Sequence, residues 1–280
     1  MKRILLSSIL TAGVSMSAMA YDASQTFKIQ SEQGDAVMTL SEMMGTLKVQ
    51  AFTVYDEAYH QDKTYEGISL KALLEHNNYS LDSITEITVV CADGYKAVLD
   101  GDILRKYPDA MISYRQLDQN GKGIEGDFEP IREGKKIADP SPFYMVWPQK
   151  ETYGIFPWPH QVVALQVSAN DSYEMLKPSS SASISVHDGY KLFKGACLAC
   201  HSINLVGGVI GPELNIPQNI TEYRSKEYMR QFIRNPDSFR ARSRMTGLPD
   251  LSDQDIDNAI AYLEYMKNHK DIGKLSTAER

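Results

Sequence analysis

Few features constrain a chain as strongly as the pentapeptide Cys197-Leu198-Ala199-Cys200-His201. C-x-x-C-H is the attachment spacing of haem c. Two thiols so spaced on a helical turn can reach the two vinyl groups of one porphyrin, and thioether bonds then tether it. The adjacent His201 lies under the iron and supplies a neutral imidazole nitrogen as proximal ligand. The competing uses of such thiols are a zinc knuckle and a dithiol redox pair. A knuckle needs a second Cys/His pair at ligand spacing, and the sequence has none. A thioredoxin-like pair needs a βαβ context, which is also missing. Cys91 is left over, so no disulfide framework is expected.

Residues 1–20 have the form of a signal peptide. Lys2 and Arg3 precede an apolar run from Ile4 to Met16, and Ala18-Met19-Ala20 is an A-x-A cleavage site. No later apolar run reaches the length of a bilayer span, so no membrane span is expected in the mature protein. A periplasmic location is the expectation. Loss of Lys2 and Arg3 takes the net charge from -7 to -9. The charge is unevenly spread. Residues 21–176 hold 13 Lys/Arg against 24 Asp/Glu, whereas residues 185–270 hold 11 against 10. Nucleic acid is not an expected partner of such a chain. Pro178 and the small polar residues that follow it mark 177–184 as a linker. The expected organisation is a signal peptide, a first domain over 21–176, the linker, a second domain over 185–270 and a tail over 271–280.

The first domain reads as α+β with many short strands. Leu70, Leu73 and Leu74 give a short helix over Ser69 to His76. Ile84 to Cys91 is rich in β-branched residues, Asp93-Gly94 is a turn, and Tyr95 to Leu99 alternates as a second strand. Asp100 to Leu104 starts another turn and helix, Asn120 to Gly123 is a turn, and Met145 to Trp147 and Val162 to Val167 are further strands. Five prolines between Pro140 and Pro159 keep that region out of regular helix.

Three of these stretches carry a resemblance. The helix entry Tyr65-Glu66-Gly67-Ile68-Ser69-Leu70-Lys71-Ala72-Leu73-Leu74, the strand end Val90-Cys91-Ala92-Asp93-Gly94-Tyr95, and the closing strand Trp158 to Leu165 resemble the sulfite oxidase-like, molybdopterin-binding fold. Metal-binding members of that family carry a molybdenum-ligating cysteine ahead of the first helix. Gln50 to Tyr65 contains no cysteine, and Cys91 stands elsewhere. No molybdopterin is therefore expected. His60, His76 and His160 lack ligand spacing and read as surface or core histidines rather than a metal site. Tyr144, Trp147, Tyr153, Phe156 and Trp158 read as core and rim before they read as a docking surface. Asp93 is a turn residue, and Cys91 a small buried hydrophobe.

In the second domain, Gly189, Phe193 and Cys197 fall four apart on one face of a helix leading into the pentapeptide. Gly189 permits close approach of another backbone. Ser252 can cap a final helix whose stripe is Ile256, Ala259, Ile260 and Leu263. A middle helix runs from about Ser225 to Arg234 and stops at Asn235-Pro236. Together these resemble the all-α class I c-type cytochromes, whose first and last helices cross at the haem edge. The resemblance implies a role for Gly211-Pro212-Glu213-Leu214: the carbonyl of Pro212 accepts the second ring N–H of His201. It implies that Phe193 packs beside the haem. It also implies a sixth ligand between Pro236 and the last helix, where Met245 stands. The family often has proline next; here Thr246 follows and the proline is Pro249. Met229, His187 and His269 are the competing ligands. Arg230, Arg234, Arg240, Arg242 and Arg244 run up to Met245. They form either a solvated face or a charged rim for acidic redox partners or haem propionates.

The expectation is thus a multidomain protein, an α+β sulfite oxidase-like domain followed by a class I cytochrome c domain with one covalent haem c. It would carry electrons between redox partner proteins rather than catalyse a reaction. The alternatives are a haem-containing molybdenum oxidoreductase acting on a small substrate and a haem-based gas or redox sensor.

Overall fold

The structure is a computed structural model describing residues 22–133, 136–149, 157–171 and 173–274. The expected signal peptide, Tyr153, Phe156 and the end of the expected tail lie outside the described residues.

Alternating side chains build two main sheets in the first domain. The strands are β1 (Thr26–Ser31), β2 (Gly34–Thr39), β3 (Val49–Asp56), β4 (Gln61–Ser69), β5 (Glu86–Cys91), β6 (Lys96–Asp100), β7 (Met111–Leu117), β8 (Ile131–Glu133), β9 (Lys136–Ala138), β10 (Tyr144–Val146) and β11 (Val162–Ser168). One sheet has the order β2-β1-β11-β5-β6, with β1 parallel to β11 and the other pairs antiparallel. The other is antiparallel, in the order β10-β7-β4-β3. Strands β8 and β9 form a separate two-stranded pair. Three short helices sit among them: α1 (Leu40–Thr46), α2 (Leu70–His76) and α3 (Gly101–Lys106). Ser69 caps α2 by accepting the N–H of Ala72 with its side chain. One core joins the two sheets, including Phe27, Ile87, Val89 and Leu165 from the first and Ile68, Ile112 and Met145 from the second. Cys91 is buried in that core, as the sequence predicts.

The second domain starts at α4 (Ile184–Leu192), capped by Ser183. The last turn of α4 widens into a π-helical turn over Phe193–Cys197. Helices α5 (Ile220–Tyr223), α6 (Lys226–Arg234) and α7 (Asp253–Met266) follow. Ser252 and Asp255 form a reciprocal capping box on α7. Helix α4 crosses α7 at Gly189, where an added Cβ would overlap the carbonyl oxygen of Asn258. The domain also has a two-residue hairpin, Ser202–Ile203 against Val206–Gly207, which an all-α reading omits. The pair forms because the chain reverses at Asn204 and Leu205, both in the left-handed region.

The two domains are packed together. On β6, Ala97 and Leu99 point into the first core, while Val98 on the opposite face packs in the core of the second domain. Tyr173 and Leu176, read from sequence with the first domain, pack in that same second core. The Tyr262 hydroxyl donates to the carbonyl of Leu176 at 2.9 Å. The proline-serine linker is also engaged: the backbone N–H of Ser179 donates to Tyr265 Oη at 3.0 Å.

Candidate haem site

The π turn at Phe193–Cys197 delivers the two cysteines to one end of α4. Neither Cys197 nor Cys200 is in a disulfide, and both are half-buried. Burial pushes the Cys197 thiol up to about 12, with Cys200 as a second cause. The backbone N–H groups of Cys200 and His201 both donate to the carbonyl of Cys197, at 3.1 and 2.9 Å, which closes the turn that the spacing requires.

His201 leaves that turn with its ring against the following loop. Its Nδ1 lies 2.9 Å from the carbonyl oxygen of Pro212, the partner that the resemblance implies. The carbonyl can only accept, so Nδ1 carries the proton and Nε2 is left as the lone-pair nitrogen. Burial holds the His201 pKa below the usual imidazole range, against the opposing effects of Pro212 and Glu213. A neutral ring with a free Nε2 is the species that ligates iron. At Gly211 an added Cβ would overlap the His201 ring, so this seat for the imidazole exists only because residue 211 is glycine. Two thiols, one oriented neutral imidazole and the glycine seat together fit a covalently held haem.

The loop that carries Pro212 is held by residues that the sequence does not announce. The Glu213 carboxylate accepts from the backbone N–H groups of Asn204, Leu205, Asn215 and Ile216, at 2.9 to 3.2 Å. The Asn219 amide donates to Asn215 at 2.8 Å and to the carbonyl of Leu263 on α7 at 2.9 Å. The Asn215 amide in turn donates to Asn204 at 2.8 Å. Asn215 and Asn219 are fully buried. These asparagines have no regular spacing, so no periodicity signal could have found them.

The other expected residues are placed as follows. Phe193 is buried, with its ring 5.4 Å from that of Tyr262, in the same core as Leu198 and Leu214. Met245 is half-buried in irregular chain after Pro236–Ser238 and donates its N–H to Ser243 Oγ at 3.2 Å. Leu248 anchors that stretch to the end of α6 by donating to the carbonyl of Ile233 at 2.9 Å. Met229 is buried against Ile256 and Ile260, in a separate cluster from Phe193. His269 stacks on Tyr265 with its Nδ1 2.9 Å from that residue's carbonyl oxygen, at the far end of α7. The arginine run divides. Arg230 makes a two-pronged bond to Asp257 at 2.6 and 2.9 Å, and Arg234 pairs with Asp253 at 2.5 Å, so both tie α6 to α7. Arg240 and Arg242 are exposed.

The first domain reaches this site through the turn between β5 and β6. Asp93 is the turn residue expected, its carboxylate accepting the N–H of Tyr95 at 3.0 Å. The N–H of Lys96 donates to the carbonyl of Ala199, inside the C-x-x-C-H segment, at 2.9 Å. The N–H of Val209 donates back to the carbonyl of Gly94 at 3.2 Å. Tyr95 packs between, its phenol pushed up by burial and by the nearby Cys200 and Cys91. Lys194, just ahead of the cysteines, lies 3.7 Å from the buried Glu86 and 3.9 Å from Asp171.

A family model described as cytochrome c matches residues 186–267. The C-terminal part of the chain is a cytochrome c domain. A domain of that family supports haem-based electron transfer through covalently bound haem c. The crystal structure of the sulfane dehydrogenase SoxCD from Paracoccus pantotrophus is similar at 14% identity and a TM-score of 0.36, over 56% of this chain. The chain spans only 41% of that one. No curated protein matches. Among the described residues no helix is long and apolar enough to cross a membrane.

Proposed function

We propose that the protein is a periplasmic electron carrier with one haem c and an N-terminal partner-recognition domain of sulfite oxidase-like fold. Cys197 and Cys200 would hold the haem by thioethers and His201 and Met245 would ligate its iron, with Pro212 orienting His201 and Phe193 supplying apolar packing for the ring. The haem, once bound, supplies one-electron exchange. The chain's residues fix its ligands, exclude water and shape the surface that a partner meets. The observation that carries the proposal is the pairing of His201 with Pro212 beside two cysteines outside any disulfide, in a cytochrome c domain.

The first domain is proposed to work without molybdopterin. A thiolate ligand must be accessible and ionised. Cys91 is 4% exposed, and burial pushes its thiol well above the ordinary range. The test is metal analysis and optical spectra of the protein purified from the periplasm of a molybdopterin-competent host. A carrier contains iron alone and is six-coordinate in both redox states. Stoichiometric molybdenum or tungsten would make it the oxidoreductase, and a five-coordinate ferrous spectrum would make it the sensor.

A further inference from the structure

A cavity of about 310 Å³ opens in the first domain, away from the C-x-x-C-H segment. That is the low end of the size range for small-molecule sites. Its walls include Asp56, Glu57, Tyr144, Trp158 and His160. Asp56 has no exposed surface, and it is held at the end of β3 by neutral donors. Tyr65 Oη donates to Asp56 Oδ2 at 2.7 Å, and the N–H of Ala58 donates to Oδ1 at 2.9 Å, with Tyr144 Oη at 3.4 Å. Among the described residues Asp56 makes no ion pair. The nearest cation that bears on it, Lys63, is committed to Glu129 at 2.7 Å.

Burying a carboxylate without a counter-charge is expensive, and a fold that keeps one beside a cavity is arranged for something that enters it. The chemistry of the walls says what. Tyr144 and Trp158 meet edge to face at 6.2 Å and give the cavity aromatic surface. Glu57 adds a second, exposed carboxylate. His160 keeps a buried Nδ1 that has no hydrogen-bond partner among the described residues. Two acids with aromatic walls select a cation over an anion. Among the described residues no three His, Cys, Asp or Glu side chains converge as metal ligands, and aromatic walls are the lining that suits an organic cation. The surrounding domain, with 24 acidic against 13 basic residues over 21–176, favours the same sign of ligand.

We propose that this cavity binds a small organic ammonium ion, with Asp56 as its counter-charge, Tyr144 and Trp158 as its aromatic walls and His160 Nδ1 as a polar contact. The first domain is then a ligand-binding module, and what it recognises includes a small molecule.

The probe is choline, titrated calorimetrically into the intact haem-loaded protein. The control is its uncharged carbon isostere, in which a tert-butyl group replaces the trimethylammonium. Saturable binding of choline, with the isostere binding about tenfold more weakly or worse, is the expected result. Asp56→Asn and Trp158→Leu should each weaken choline binding by about tenfold while leaving the haem spectrum unchanged. Should Asp56→Asn fail to fold, Trp158→Leu carries the test alone. The proposal is overturned if choline does not bind, if the isostere binds as tightly, or if a folded Trp158→Leu protein binds choline unchanged.

Discussion

The backbone N–H of Lys96 donates to the carbonyl of Ala199 at 2.9 Å, which hydrogen-bonds the first domain into the middle of the C-x-x-C-H segment. The reciprocal bond from Val209 to Gly94 and the burial of Tyr95 make the β5–β6 turn part of the wall of the haem site. A linker of small polar residues usually implies independent domains. Here the surface beside the cysteines is already covered by the first domain, and Val98 joins the second domain's core. Stability, and the surface open to a redox partner, should therefore depend on that turn.

Gly94 tests the dependence. It has φ +93, and an added Cβ would lie 2.7 Å from Val209 Cγ2. Gly94→Val meets both a left-handed backbone and a side-chain collision, together costing about 1–3 kcal/mol. Scanning calorimetry of the holoprotein should show the single transition split into two, with the first domain melting earlier. One unchanged transition would mean that the turn does not couple the domains.

The sequence made some of this legible and hid the rest for physical reasons. The Ser252 cap and the close backbone approach at Gly189 follow from local chemistry, and each is where that chemistry puts it. The seat of His201 was legible only through resemblance, because no local rule pairs a histidine with a proline carbonyl eleven residues on. The asparagine network was invisible, since buried amides are selected by tertiary hydrogen bonding and leave no period. Arg230 and Arg234 read as either a solvated face or a charged rim, but charge in a sequence does not reveal a partner on the next helix. The docking of Val98 was hidden likewise: an apolar residue on the outer face of an edge strand has meaning only once the second domain covers it.

Gly211→Ala should act on the ligand rather than on the fold at large. The added methyl overlaps the His201 ring, which must then turn away from Pro212. The expected outcome is a mixed-spin ferric spectrum with covalent haem retained, since Cys197 and Cys200 are untouched. A spectrum identical to wild type would show that the imidazole has room to spare.

Asp127 supplies a pH-dependent prediction. Burial raises its pKa to about 6 from 3.8, with Arg115 opposing. The folded state therefore binds more protons than the unfolded chain between those values, so Asp127 lowers stability as pH rises from about 4 through 6. Asp127→Asn should be stabilising at pH 7 and close to neutral at pH 4. Asparagine tolerates the left-handed φ of 64 found there, so the backbone need not move. Denaturant unfolding of both proteins at the two pH values decides the sign.

The axial assignment separates two methionines that sequence position alone leaves in competition. Met229 is 6% exposed and packs on Ile256 and Ile260, so its side chain is already spent on the contact between α6 and α7. Met245 is half-buried in irregular chain, pinned three residues later by the bond from Leu248 to Ile233. Thioether ligation favours ferrous iron and raises the potential. Met245→Ala should abolish the weak near-infrared charge-transfer band of the oxidised protein and lower its reduction potential, with little loss of stability. Met229→Ala should do the reverse: keep the band and potential, and cost about 2–5 kcal/mol from the cavity left in the helix contact. Spectra and potentiometry of the two variants, beside their unfolding midpoints, check both halves. Loss of the band in the Met229 variant with its retention in the Met245 variant would transfer the ligand role to Met229.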